Sequence, residues 1–138
     1  MTDPRAACRV TAGALAAGRV PAALAGLGMV AGVWLARGGP PPATGLALGA
    51  LLAGFAAHYF AWRTSLDRRL FERCADLLAE DPAGLDATLA LLRGGAPPAP
   101  PRPLESRIAG ARGLLVKLWL FTLVEWGLVA AAAIANGG

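Results

Sequence analysis

The sequence predicts an all-α fold: a polytopic helical membrane protein with three transmembrane helices and a cytoplasmic helical hairpin between the second and third. Three observations predict it. Of 138 residues, 56% are hydrophobic and only 16% are charged, against about a quarter charged in soluble domains. The charges are concentrated, so three long stretches are almost free of them, each close to the roughly 20 apolar residues that cross a hydrocarbon core. Finally, the arginines favour alternate ends of those stretches, as the positive-inside bias requires. A soluble fold of this size leaves about 30% of its unfolded surface exposed and must cover it with polar groups. Long uncharged helices cannot do that, and a bilayer removes the need.

The first element begins after a polar start, residues 1–9, that carries Arg5 and Arg9. From Val10 to Ala36 the chain is apolar apart from Thr11 and Arg19. Two placements of the first span, about 12–36, are open. A tilted span holds Arg19 within it. A shorter one starts at Pro21, where a missing N–H suits a first helical turn, and leaves Val10 to Ala17 at the membrane surface. The second is preferred, because an unpaired arginine deep in the bilayer costs about 2.5–3.5 kcal/mol. This run is too long for the apolar core of a signal peptide, and Trp34 occupies the −3 position of a cut after Ala36. It is expected to be retained.

Arg37 to Pro42 is a glycine- and proline-rich turn. The second span, about 43–62, is uncharged and holds the single histidine, His58; Tyr59 and Trp62 suit an interfacial aromatic belt. Residues 63–112 form the charged loop. Leu66, Leu70, Cys74, Leu77 and Leu78 recur at helical spacing, and Arg68 with Glu72 and Arg73 with Asp76 are spaced as surface pairs. The second helix is therefore expected to continue to Ala79. Asp81-Pro82 then caps a short helix bearing Leu85, Leu89 and Leu92, ended by Gly94-Gly95. A proline-rich extended linker follows at 96–103. Leu104 restarts a helix that runs into the third span, about Gly113 to Ile134, and a short tail. The divisions are thus 1–62, 63–112 and 113–138.

Basic residues are dense before the first span and in the loop 63–112, sparse at Arg37 and absent after Lys117. This places the amino terminus in the cytoplasm and the carboxyl terminus outside. The expected location is a cell membrane, and the excess of Ala, Gly, Pro and Arg over Lys suggests a bacterial inner membrane. Cys8 and Cys74 then both face a reducing compartment and are expected as thiols.

Several function classes lose support. No glycine-rich phosphate loop, zinc-protease helix or Ser/His/Asp arrangement is present. One histidine cannot make a histidine-based metal cluster. The net charge of +4 is explained by the positive-inside bias, and the helix from Ser65 to Ala79 balances its arginines with Asp67, Glu72 and Asp76, with Glu80 next after it. No nucleic acid, metal, cofactor or catalytic residue is expected, and the chain is not read as an enzyme.

The polar candidates lie inside the spans. Glu125 falls near the middle of the third, too deep for so short a side chain to reach the surface; the first expectation is a structural polar contact between helices, and an intramembrane acid is also a functional candidate. Thr122 shares its face and is placed to hydrogen-bond to it. Arg19 is its counter-ion if the longer first span holds. Lys117 is near enough to one end to snorkel. His58, ringed by small residues, is expected to pack against another helix. Gly28 with Gly32, and Gly45 with Gly49, are spaced to let helices approach closely. Leu66, Leu70, Leu77, Leu85 and Leu89 make the candidate cytoplasmic docking face. The leading expectation is an interaction or accessory subunit of a membrane complex, whose partners are the lipid bilayer and a second protein or another copy. The alternative is a transport or channel component that uses Glu125 as a proton or cation site.

Overall fold

A computed structural model describes residues 4–77, 90 and 103–137. The elements are α1 (Pro4–Ala16), α2 (Arg19–Ala36), α3 (Pro41–Leu77) and α4 (Leu104–Gly137). Among the described residues there is no strand. Three stretches are long and apolar enough to cross a membrane: Arg5–Ala36, Pro41–Arg73 and Leu104–Gly137. The protein is an all-α helical membrane protein. The expected short helix after Asp81 and the linker 96–103 lie outside the described residues.

Local chemistry sets the helix ends. Pro21 has no N–H to donate to the Ala17 carbonyl; Val20 donates to it instead at 3.2 Å, and Ala22 donates to Gly18 at 3.2 Å. The helical path therefore hitches at Ala17-Gly18 and resumes at Arg19, so Pro21 sits inside the first turn of α2, where proline is tolerated. Gly18 keeps helical angles, φ −62° and ψ −13°. Helix α3 opens on prolines 41 and 42, and its first turn is tied down by Thr44, whose N–H donates to Pro40 O at 3.0 Å and whose hydroxyl donates to Gly39 O at 3.2 Å. At the start of α4 the Pro103 carbonyl accepts from the Ser106 N–H at 3.1 Å and the Ser106 hydroxyl at 2.9 Å. With 37 residues, α3 is about 55 Å long at ~1.5 Å per residue. That exceeds a hydrocarbon core of about 30 Å, so α3 is longer than a single crossing needs.

The chain divides into two compact units. The larger holds α2, the part of α3 up to Thr64 and the part of α4 from Leu114. Each helix turns one stripe inward at alternating spacings of four and three: Pro21, Ala25, Gly28, Gly32 and Leu35 on α2; Ala43, Ala47, Ala50, Gly54 and Ala57 on α3; Leu118, Thr122, Glu125, Val129 and Ala132 on α4. This is the repeat that keeps one seam buried along a helix bundle. The α2 and α3 stripes consist mostly of Ala and Gly, which bring backbones close and maximise van der Waals contact where no hydrophobic force acts between helices. Large apolar side chains point outward, among them Leu27, Val30, Trp34, Leu52, Phe55, Leu123 and Ile134.

The smaller unit holds α1 with residues 65–77 of α3 and 104–113 of α4 among its described parts. Its core is Cys8, Ala12, Leu15, Phe71 and Ala111, with Leu104 and Ile108 packed against it. On α3 Phe71 is buried, Leu66 is turned outward and Leu70 is half-buried. Of the expected docking face, Leu66 is thus the exposed member; the Leu77 side chain, Leu85 and Leu89 lie outside the described residues. Arg68 and Glu72 form the expected surface pair, Nε donating to Oε1 at 2.7 Å, a contact of about 0.3–0.5 kcal/mol.

Candidate intramembrane acid site

Helix α4 places Glu125 on its inner stripe, one turn after Thr122 and one before Val129. The residue is fully buried. It lies near the middle of the apolar run of α4. Gly28, facing it, lies midway between Arg19 and Arg37 on α2. Gly54, also facing it, lies well inside the apolar part of α3. All three helices therefore meet the carboxyl away from their ends.

The two glycines make room for the acid. A methyl group at Gly28 would fall 2.7 Å from both Cδ and Oε1 of Glu125. One at Gly54 would fall 2.5 Å from Oε1 and 3.0 Å from Cδ. Neither distance is compatible with van der Waals contact, so any side chain at either position displaces the carboxyl. Met29 closes the same space, its Cγ 2.5 Å from the position of that methyl at Gly54. Apolar layers lie on both sides of the site: Ala25, Ala57 and Leu118 on one, Leu35, Ala47, Ala50, Val129 and Ala132 on the other.

Neither oxygen of Glu125 has a hydrogen-bond partner. This bears directly on what the residue does. A buried acid stabilises a helix contact through the donors it accepts from; without them its desolvation is uncompensated. The residues flanking it behave differently. Thr122 donates back to Leu118 O at 2.9 Å and reaches Pro21 O at 3.4 Å. Trp126 donates from Nε1 to Leu24 O at 3.2 Å. Two side chains of α4, one turn before and one residue after the acid, thus hold the backbone of α2 in register with it.

The other sequence candidates take distinct places. Thr122 spends its hydroxyl on backbone carbonyls and not on Glu125. Arg19 stands exposed at the start of α2, while the Glu125 oxygens are unpartnered, so the expected counter-ion pair is not formed. Lys117 is exposed, with Nζ 5.8 Å from the centroid of Phe60, a cation–π arrangement; Phe60 in turn stacks on Phe121 at 5.4 Å. His58 is exposed on α3, and its Nδ1 lies 3.0 Å from Gly54 O. A carbonyl only accepts, so Nδ1 carries the hydrogen and Nε2 is left with its lone pair in the neutral ring. Of the four glycines, Gly28 is against Glu125, Gly32 lies near Ala47 O and Leu51, Gly49 lies near Leu128, and Gly45 faces open space.

Gly54 and Trp126 belong to the site and carry no warning in the sequence. Gly54 pairs with Gly28 across two helices, which no spacing within one helix reveals. Among the described residues no three His, Cys, Asp or Glu side chains are grouped to hold a metal ion.

The fold and this site define the class: a small multi-pass helical membrane protein with an acid enclosed by its own helices. Comparison with protein families, with characterised proteins and with solved structures found no match.

Proposed function

We propose that the chain is a transport or channel component, or a coupling subunit of one, whose working group is the carboxyl of Glu125 acting as a proton or small-cation site. The observation that carries this reading is the fully buried carboxyl with two unpartnered oxygens in a space kept open by Gly28 and Gly54. A purely structural glutamate would be expected to accept hydrogen bonds, and donors are available one turn away on the same helix. A carboxyl in this position must be either protonated or matched by a cation, because an isolated charge in a low-dielectric interior costs several kcal/mol. The layers on either side close the site, so exchange requires the bundle to open.

The test is flux through purified protein in liposomes. With a pH, Na+ or K+ gradient imposed, the wild type dissipates one of the three faster than empty vesicles. Glu125→Gln, which keeps shape and loses the exchangeable proton, brings the rate to the empty-vesicle level, and Glu125→Asp retains part of it. Equal rates in wild type and Glu125→Gln sink the reading.

The accessory-subunit reading has its own support in the outward-facing Leu66 and the charged helical surface beside it. It is separated from the first by co-purification: a larger partner retained by Glu125→Gln and lost on replacing Leu66 with Glu supports docking. The same topology is proposed for either function, amino terminus inside and carboxyl terminus outside.

A further inference from the structure

His58 and Glu125 bracket the same short piece of the molecule. On α3, the Gly54 carbonyl accepts from His58 Nδ1 at 3.0 Å, while a methyl at the same residue would touch Glu125 Oε1 at 2.5 Å. On α2, the position of a methyl at Gly26 is 3.9 Å from His58 Nε2, and that at Gly28 is 2.7 Å from the Glu125 carboxyl. The imidazole is thus within about one helical turn of the acid along both neighbouring helices. It differs from the acid in one respect: it is exposed on the outside of the bundle, and the acid is sealed within. It also lies only one turn before Trp62, the aromatic end of the span, about 6 Å along the axis at ~1.5 Å per residue.

We propose that His58 is the proton port of Glu125, carrying protons between the outside of the bundle and the buried carboxyl. This rests on the reading of Glu125 as a proton site. In the neutral ring Nδ1–H is engaged by Gly54 and Nε2 has its lone pair. Nε2 takes a proton from hydronium, which leaves water and gives an imidazolium. The ring does not touch the carboxyl in the closed bundle, so transfer accompanies its opening: one imidazolium N–H bond breaks as an O–H bond forms on the Glu125 carboxylate. The products are a neutral imidazole and a neutral acid, so one positive and one negative charge vanish together inside the membrane. The reverse sequence releases the proton.

Other groups are poorly placed for this. On α2 no titratable residue lies between Arg19, which is exposed, and Arg37. On α3 the neighbouring Tyr59 is exposed, its ring edge-on to Phe60. On α4 Lys117 is exposed with its ammonium over Phe60. Histidine is also the side chain suited to gaining and losing a proton near neutral pH.

The experiment is hydrogen–deuterium exchange at Glu125 itself, read by time-resolved infrared spectroscopy on protein in lipid bilayers. The acid C=O band of Glu125, assigned by its loss in Glu125→Gln, shifts when O–H becomes O–D after transfer to deuterated buffer. The expected result is exchange slowed at least tenfold in His58→Gln and in His58→Phe, with free imidazole in the buffer restoring part of the rate. The rescue separates proton delivery from a change in packing, since free imidazole cannot repair a misfolded bundle. Unchanged exchange in both variants overturns the port, as does slowed exchange that imidazole leaves untouched. Absence of an acid band in the wild type overturns it too. None of these readings needs net flux, so a failure of the transport assay and a failure of the port are told apart.

Discussion

The two units of this molecule expose opposite kinds of residue. In the unit built from α2 and the apolar parts of α3 and α4, the interior is mostly Ala, Gly and Thr around one Glu, with Leu35, Leu118 and Val129 among them, and the outside carries Leu, Val, Phe and Trp. In the unit built on α1, Phe71, Leu15 and Cys8 are inside, and Arg5, Arg9, Arg69, Glu72, Arg73, Glu105 and Arg112 are exposed. The first arrangement is stable only where the surroundings are as apolar as leucine. The second is the ordinary response to water. Helix α3 contributes to both: Ala57 and Thr64 are buried in the larger unit and Phe71 in the smaller.

The sharpest way to break this comparison is to make one substitution in both places. Phe71→Ala removes a 7%-exposed ring from the smaller unit and is expected to cost about 3–5 kcal/mol. Phe55→Ala removes a 63%-exposed ring from the larger unit and is expected to change stability by less than about 0.5 kcal/mol. Hydrogen exchange and protease sensitivity of α1 and residues 65–77 report the first, and thermal unfolding in bilayers the second. Similar losses for both would mean that the outward face of α3 at Phe55 is covered by protein rather than lipid.

A smaller effect sharpens the account of the interior. Gly54→Ala puts a methyl 2.5 Å from Oε1 of Glu125, and overpacking of this kind costs about 1–3 kcal/mol. The part of the cost owed to the acid should disappear when Glu125→Ala is present as well, while Met29 Cγ, also 2.5 Å from that methyl, keeps the remainder. A double-mutant cycle measures the coupling; additive losses would show that Gly54 is needed for something other than the acid.

The sequence made the helices legible because each span announces itself within its own stretch of chain. Uncharged length, prolines at helix starts and glycine pairs four residues apart are all local signals. Depth was legible for the same reason: counting along α4 puts Glu125 in the middle of its apolar run. What Glu125 meets was not legible. The cradle joins Gly28 to Gly54 from separate helices, and periodicity along one helix does not report on its neighbour. The spacing of Thr122 to Glu125 suggested a bond, yet a threonine within a helix readily returns its hydroxyl to the carbonyl four residues back, here Leu118. Arg19 was a partner only on condition that it entered the span, and the hitch made by Pro21 leaves it exposed at the first residue of α2. On α3, leucine spacing alone drew a docking face through Leu66 and Leu70; in the structure Leu66 is exposed, Leu70 half-buried and Phe71 buried.

The account turns on whether Glu125 contributes stability or costs it. Thermal unfolding of Glu125→Met in lipid bilayers decides this, since methionine is unbranched, similar in length and able to fill irregular space without needing donors. A buried acid with unpartnered oxygens should be a net cost, so the variant is expected to unfold at the same temperature as the wild type or higher, while losing flux. A melting temperature lowered by several degrees would show that the carboxyl holds the helices together, and the proposal of a working acid would be contradicted.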